Sequence, residues 1–272
     1  MITHYLSRIG VFFSALLLSS CSTFGFIFER LDWFTIWRLD SMFDLSDQQE
    51  DQVRPDLLAL QSWMREEGFP ETISRLEGVI ERWDNDTPES AYLYLMSSME
   101  DINRLFLNAM KDGVVRFSLQ LTEDNAEHYR DYTQERQEDW FDSTHSQEAK
   151  VEREIERLEE WFGHLNDQQV SLVEGHIALV PEERQIRLDN LRSWREGYLM
   201  AALNRDQALL RSWLEDLSIF WTPEYILLKQ QNNQQRQALL FELFPSLTDK
   251  QKRHAREHVE DWIENLQDVL EE

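Results

Sequence analysis

Two histidines near the end of the sequence have a spacing that could hold zinc. In HAREH, residues 254–258, His254 and His258 stand four positions apart, with Glu257 next to the second. On a helix this spacing brings the two imidazoles to one face, where they bind Zn²⁺ if a third ligand and a cleft are present. The apolar stripe of this helix runs through Ala255 and Val259, which leaves His258 at its flank and His254 nearer to solvent. A solvated helix edge is the favoured interpretation, and metal binding by this pair is the weaker alternative.

The only cysteine follows a short apolar leader. MITHYLSRIGVFFSALLLSSC has Arg8 as its one firm positive charge, an apolar run from Ile9 to Leu18 and two serines before Cys21. Such a run is too short to span a bilayer and is typical of a secretory signal peptide, so residues 1–20 are predicted to be removed. LSSC resembles the lipobox of bacterial lipoproteins, in which the cysteine becomes the acylated first residue. A single cysteine that carries lipid allows no disulfide and no catalytic thiol.

The residue after the cysteine indicates whether such a lipoprotein stays in the inner membrane or reaches the outer membrane. In Gram-negative lipoproteins an Asp at that position is the usual signal for retention in the inner membrane, and here the position holds Ser22. The resemblance therefore implies a lipid anchor, palmitate included, at the periplasmic face of the outer membrane, with the inner membrane as the alternative. Several acyl chains hold a protein on a membrane almost permanently.

The composition is strongly acidic. The chain has 27 Lys and Arg against 52 Asp and Glu, a formal net charge of −25. A field of this sign repels nucleic acids and favours solubility or a basic partner. The sequence contains no glycine-rich phosphate loop, G-x-S-x-G or H-E-x-x-H, and among so many acids a carboxylate pair says little about catalysis. We therefore expect no nucleic-acid partner, no cofactor and no catalytic residues.

Hydrophobic periodicity predicts an all-α protein. Apolar residues recur every three or four positions, as in Val151, Ile155, Leu158 and Phe162, and only eight Gly and six Pro occur in 272 residues. The pattern predicts an irregular multi-helix bundle of about nine or ten helices in a helical domain, residues 46–272. The predicted helices are 46–66, 70–83, 88–112, 122–141, 146–163, 166–179, 181–204, 206–219, 222–243 and 248–270.

Residues 21–45 form a membrane-proximal aromatic segment without a flexible tether. Trp33 and Trp37 stand there with Phe34 and Phe43. These rings could lie in the membrane interface, where Trp is enriched, or contact a partner. Packing against the helices is the favoured interpretation.

A pentad with the pattern L-[S/T/N]-[D/E]-x-[Q/N] occurs four times, as LSDQQ (45–49), LTEDN (121–125), LNDQQ (165–169) and LTDKQ (247–251). In each pentad the second residue is a good N-cap, and the fifth can return a hydrogen bond to the N–H of the cap, which makes a capping box. Because the copies are unequally spaced, a solenoid is excluded. We interpret the pentads as helix starts with no further role, with Asn125 too short to fit well and with the leucines packed in the core. The residues concerned are Leu45, Ser46, Gln49, Leu121, Thr122, Asn125, Leu165, Asn166, Gln169, Leu247, Thr248 and Gln251.

A second unusual stretch is KQQNNQQRQ, residues 229–237. The helical stripe between Leu228 and Leu239 passes through Asn232 and Gln235, where a core helix would place leucine. Either this helix leaves the bundle, or its amides are exposed to bind a partner's backbone. A solvent-exposed helix middle is the favoured interpretation.

Two resemblances follow from these motifs. The L-T-x-x-Q pentads resemble those of the periplasmic Spy and CpxP proteins, which are stress-related chaperones or adaptors, although the likeness covers the pentads alone. The chain is more similar to a family of Gram-negative helical lipoproteins of unknown function. The similarity includes the cysteine, LDWFTIWRLDSMFDLSDQQ (31–49), REIERLEEWFGHLNDQQ (153–169) and a last pentad before the final helix. It implies the fold and the location and supplies no activity.

Together these features predict a lipid-anchored periplasmic protein that acts without catalysis, by contact with envelope proteins, as a chaperone or adaptor. A structural or assembly factor of one envelope complex is the nearest alternative. An enzyme or a metal-binding protein is a remote third.

Overall fold

The chain is all-α in the computed structural model, which describes residues 20–143, 146–179 and 183–271 and, within these, the side chains outside 20–23 and 137–143. The fold-class prediction is confirmed. The predicted signal peptide lies outside the described residues except for Ser20. The helices are α1 (Ser20–Glu29), α2 (Leu31–Phe43), α3 (Asp47–Trp63), α4 (Phe69–Asn85), α5 (Pro88–Ser118), α6 (Glu123–Ser143), α7 (Gln147–Phe162), α8 (Asp167–Ile177), α9 (Arg184–Leu203), α10 (Gln207–Glu215), α11 (Pro223–Leu243) and α12 (Asp249–Glu271).

Several boundaries differ from the predicted helices. Helix α5 runs to Ser118 rather than to residue 112, and α10 ends at Glu215 rather than at residue 219. Residues 20–43, which were not predicted as helices, form α1 and α2. The predicted break between residues 66 and 70 is wrong, because a π-helical turn, Met64–Gly68, joins α3 directly to α4. Pro70, which has no N–H to donate, is the second residue of α4 and follows this π-helical turn directly. The chain therefore stays helical from residue 47 to residue 85.

The core consists of two large clusters bridged by α5. One cluster gathers Leu121, Leu199 and Leu210 with residues from α2, α3, α5, α6, α9 and α10. The other gathers Leu158 and Leu243 with residues from α7, α8, α11 and α12. The C-terminal half of α5 packs in the first cluster, and its N-terminal half lies beside the second. A helix of 31 residues is long enough, at about 1.5 Å per residue, to reach both.

Helices α1 and α2 pack on the rest of the bundle. Phe28 of α1 is buried with Phe69 of α4 and Val269 of α12. Ile36 and Phe43 of α2 are also buried. The Phe43 ring stacks on that of Tyr129, with centroids 4.5 Å apart. Helices α1 and α2 are therefore held against the rest of the helical domain.

The buried Tyr129 predicts a loss of stability at alkaline pH. Burial raises the pKa of its phenol to about 12, whereas an unfolded tyrosine titrates at about 10. The unfolded chain therefore releases the proton first, and this contribution to stability is lost as pH rises from about 10 to 12. Urea denaturation at about pH 9 and about pH 11 measures this loss in the native chain and in the variant Tyr129→Phe. Between the two pH values, the free energy of unfolding should fall by about 1 kcal/mol more in the native chain than in the variant. Parallel falls in the two proteins would contradict this.

The first two pentads pair with each other. Ser46 and Gln49 form the capping box at the start of α3. Asn125 Oδ1 accepts the N–H of Thr122 at 2.9 Å, so the expectation that Asn125 is too short is wrong. Gln49 Nε2 donates to Asn125 Oδ1 at 2.8 Å and to the Gln120 carbonyl at 3.1 Å. Asn125 Nδ2 donates in return to the Asp44 carbonyl at 3.0 Å.

The third and fourth pentads repeat this arrangement. Asn166 and Gln169 form the capping box of α8, and Gln251 Oε1 accepts the N–H of Thr248 at 3.1 Å. The two glutamine side chains exchange hydrogen bonds of 3.1 and 2.9 Å. Each also donates to the carbonyl just before the other pentad, Gln169 to that of Ser246 and Gln251 to that of His164.

The pentad leucines lie in the core beneath these amides, as expected: Leu45, Leu121, Leu165 and Leu247 are all buried. The interpretation that the pentads only start helices is therefore too narrow. Each fifth residue caps its own helix and also hydrogen-bonds the start of a helix far away in the sequence. Since a buried amide is costly unless it is hydrogen-bonded, this exchange fixes how the paired helix starts meet.

Candidate functional site

The histidine pair does not form a metal centre in the described part of the chain. His254 is exposed and lies 3.2 Å from the Glu160 carbonyl. The His258 ring contacts those of Trp161 and Trp262, with centroids 4.8 and 5.1 Å away. Desolvation lowers the pKa of His258, so its imidazole is neutral at pH 7. Among the described residues, no three His, Cys, Asp or Glu side chains are grouped to hold a metal ion.

The amide-rich stretch stays within the bundle. Helix α11 runs without a break from Pro223 to Leu243, and Asn232 and Gln235 are half-buried. Asn232 Nδ2 donates to the buried Glu183 carboxylate at 2.6 Å. Asn232 therefore connects α11 with the start of α9, so the exposed helix middle that we favoured is wrong for this residue. It is right for most of the stretch, because Gln230, Gln231, Asn233, Gln234 and Arg236 are exposed.

The aromatic residues of α2 divide into two groups. Phe43 is buried, in agreement with the packing interpretation. Trp33 and Trp37 are 54% and 57% exposed, so for these two the packing interpretation is wrong. Phe26 and Ile27 of α1 are also exposed. The helices that follow Cys21, whose side chain lies outside the described ones, thus present large apolar side chains to solvent.

An open apolar pocket lies between α4, α5, α7, α11 and α12. Its volume is about 360 Å³. The walls come mainly from apolar residues, including Val79, Trp83, Leu95, Trp161, Phe162 and Leu240. Leu93 and Met96 of α5 also line it and are exposed. Ligand sites in proteins are typically concave, apolar and of about this size or larger, with a few polar groups that orient the ligand.

The polar groups of this pocket include Tyr92, Arg157 and Arg236. Arg157 forms an ion pair with Glu154 and keeps its Nε buried without a hydrogen-bond partner. Arg236 makes no hydrogen bond or ion pair with any described residue, although part of its side chain reaches solvent. Desolvation, and then the like charge of Arg157, lowers the pKa of Arg236.

The two guanidinium groups also act on the phenol of Tyr92. Desolvation raises the pKa of Tyr92, and the charges of Arg236 and Arg157 oppose that rise. At neutral pH all three side chains are therefore hydrogen-bond donors. A pocket with apolar walls and a donor-rich, cationic edge suits an apolar ligand that carries a negative charge.

Sequence reasoning missed this site. Arg157 lies on α7 and Arg236 on α11, 79 positions apart, and each resembles an ordinary helix-surface arginine. The one available signal was their position beside apolar neighbours, Leu158 and Leu239–Leu240, at the edge of a core stripe. The side chains of the amide-rich stretch that reach the pocket are Asn233, Arg236 and Gln237, rather than the two we selected.

Helices long and apolar enough to cross a bilayer are absent from residues 20–143, 146–179 and 183–271. The model of a family of unknown function, DUF6279, matches residues 41–226, more than half of the chain. Comparison with curated proteins and with solved structures gives no match.

Proposed function

We propose that this chain, which belongs to the family of unknown function DUF6279, is a lipid-anchored periplasmic protein that acts by binding other proteins, as a chaperone or adaptor. The observation that carries the proposal is the open apolar pocket of about 360 Å³ with exposed Leu93 and Met96 in its lining. Exposed apolar surface of this kind marks sites where a partner is bound. The chain as a whole has a net charge of −25, which favours basic rather than acidic partners.

The polar groups of the pocket suit binding better than catalysis. Arginine stays protonated near neutral pH and carries no acceptor. Desolvation raises the pKa of Tyr92 and keeps its phenol protonated. A general base must accept a proton at the working pH. The hydrogen-bond donors of Tyr92, Arg157 and Arg236 can orient a bound group, but they cannot take a proton from it.

The lipid anchor of the proposal is Cys21, in the lipobox-like LSSC, and Ser22 favours the outer membrane over the inner membrane. Exposed Trp33 and Trp37 on α2 support this arrangement, because tryptophan is enriched at membrane interfaces. The short connection from Cys21 to α2 would keep the bundle close to the lipid surface.

A structural or assembly factor of a single envelope complex is the second candidate. One compact pocket fits one dominant partner as well as it fits many, whereas a general chaperone needs a surface that tolerates many sequences. The identity and the number of captured proteins therefore separate the two candidates. An enzyme or a metal-binding protein is the third.

Photo-crosslinking in intact cells tests the proposal. A photoreactive amino acid at Leu93, which lines the pocket, should form adducts with periplasmic proteins. The same probe at Leu227, an exposed leucine of α11 outside the pocket lining, is the matched control. Many unrelated adducts specific to Leu93 would indicate a chaperone, and one dominant adduct an adaptor or assembly factor. Equal adducts at the two positions, or none at Leu93, would refute binding through the pocket.

A Cys21→Ser variant serves as the control for the anchor in the same cells. It should lose incorporation of an alkyne-labelled fatty acid and leave the membrane fraction. Retention of the label would show that the acyl chain is attached elsewhere.

A further inference from the structure

We propose that the pocket binds the C-terminal end of a partner polypeptide, with an apolar terminal side chain between its walls and the free α-carboxylate at Arg236 and Arg157. This inference rests on the proposed function, in that the pocket is taken as the surface that contacts partner proteins, and it names the part of the partner that enters.

The charges at the edge of the pocket call for one carboxylate. Three arginines line the pocket. Arg157 is paired with Glu154, and Arg256 with Asp84 and Glu260, which leaves the positive charge of Arg236 without an acidic partner among the described residues. The buried Arg157 Nε has no hydrogen-bond partner, and Arg236 has neither a hydrogen bond nor an ion pair among the described residues. An unpaired buried donor is costly, and a carboxylate can accept two parallel hydrogen bonds from a guanidinium. A single carboxylate on the exposed Arg236 guanidinium would pair with its free donors and balance its charge, whereas the Arg157 Nε is buried from solvent and Arg157 contributes through its charge.

The amides next to Arg236 favour a peptide over a fatty acid. Asn233 and Gln237 lie one helical turn apart on α11, and both line the pocket. Within the described part of the chain, neither side chain makes a hydrogen bond. Each amide has a donor and an acceptor, which matches the C=O and N–H groups of a peptide backbone. A fatty acid has a carboxylate but no such groups along its chain.

The size of the pocket limits what can enter. A volume of about 360 Å³ lies near the lower end of the range for ligand sites, about 300–1,000 Å³. This space suits one or two large apolar side chains at a chain end and is too small for a whole helix. The exposed Leu93 and Met96 offer further apolar contact to the residues just before the terminus.

Fluorescence anisotropy with the lipidated chain in lipid nanodiscs tests this inference. The probe is a short peptide with an N-terminal dye that ends in Leu-Phe, made with a free carboxylate and with a C-terminal amide. The acid should bind roughly tenfold more tightly, a difference of about 1.4 kcal/mol. Arg236→Gln should abolish the difference by weakening the acid alone. The control is Arg104→Gln, which removes an exposed arginine outside this pocket and should leave the difference intact.

Three results would overturn the inference. The first is that the acid and amide peptides bind equally or not at all, and the second is that the two arginine variants act alike. The third is that dodecanoate binds where neither peptide does, which would make the pocket a fatty-acid site. If Leu93 still forms its specific adducts in cells, any of these rejects the C-terminal mode and leaves the proposed function standing. Because Arg236 is exposed and makes no hydrogen bond with any described residue, its variant should keep the thermal unfolding midpoint of the native chain.

Discussion

Replacement of Gln169 by Leu should lower the free energy of unfolding by about 3 kcal/mol, since several buried polar groups lose their partners at once. Gln169 is 1% exposed. Its amide accepts the Asn166 N–H at 3.0 Å, exchanges two hydrogen bonds with Gln251 and donates to the Ser246 carbonyl at 3.2 Å. Leu fills a similar volume but returns none of these bonds, so the remaining groups stay buried and unpaired.

Urea denaturation followed by circular dichroism measures this loss. Gln168→Leu is the matched control, because Gln168 is the exposed neighbour of Gln169. It should change stability by no more than about 0.5 kcal/mol. The double variant Gln169→Leu with Gln251→Leu should lose less than the sum of the single losses, because each leucine removes a partner that the other variant leaves unpaired. Equal losses at Gln168 and Gln169 would show that the amide exchange does not contribute to stability.

The same amide exchange positions the candidate binding pocket. Gln169 lies in the first turn of α8, the helix that follows α7. Gln251 lies in the first turn of α12, the helix that follows α11. Arg157 and Arg236 stand on α7 and α11, the helices that lead into the two pentads. A variant that loosens the exchange should therefore weaken peptide binding as well as stability.

Gly197→Ala should destabilise the chain by about 2 kcal/mol, although alanine normally stabilises the interior of a helix. A Cβ added at Gly197 of α9 would lie 2.5 Å from Cδ1 of Phe220. Phe220 is buried, and the plane of its ring makes an angle of 26° with that of the Trp213 ring, against which it stacks. The Phe220 carbonyl also accepts a hydrogen bond of 2.9 Å from the Ser193 hydroxyl. The ring therefore cannot retreat without disturbing the first core cluster.

Gly175→Ala is the opposite case and the control. Gly175 also lies inside a helix, α8, but a Cβ there meets no atom within 4 Å. Alanine should stabilise this position by up to about 1 kcal/mol, since it lowers the entropy of the unfolded chain. Thermal unfolding of both variants should give midpoint shifts of opposite sign. A stabilised Gly197→Ala would mean that Phe220 can move aside freely.

The local features of this protein could be predicted from its sequence because their causes lie within one helical turn. Apolar residues at three- and four-residue intervals determine the helices, and a cap with its partner three positions later determines where α3 and α8 begin. Ser46 with Gln49 and Asn166 with Gln169 need no distant residue to form their capping boxes.

Only the tertiary structure decided which helix starts meet. Gln49 pairs with Asn125, 76 positions away, and Gln169 with Gln251, 82 positions away. Four similar pentads allow several pairings, and single-helix patterns contain no information on which helices pack together. The exposure of Trp33 and Trp37 could not be predicted for the same reason. A helical wheel gives the relative direction of two side chains on one helix but not which other helix, if any, covers them.

The pocket shows most clearly the difference between what the sequence determined and what the tertiary structure decided. The sequence determined that Arg157 and Arg236 lie on helices, where an arginine beside apolar residues is ordinary. The packing of α4, α5, α7, α11 and α12 decided that both arginines line the same apolar space as Tyr92. Their shared environment arises from contacts between residues far apart in the chain. Helix formation depends on near neighbours, whereas a binding site depends on which surfaces the folded chain brings together.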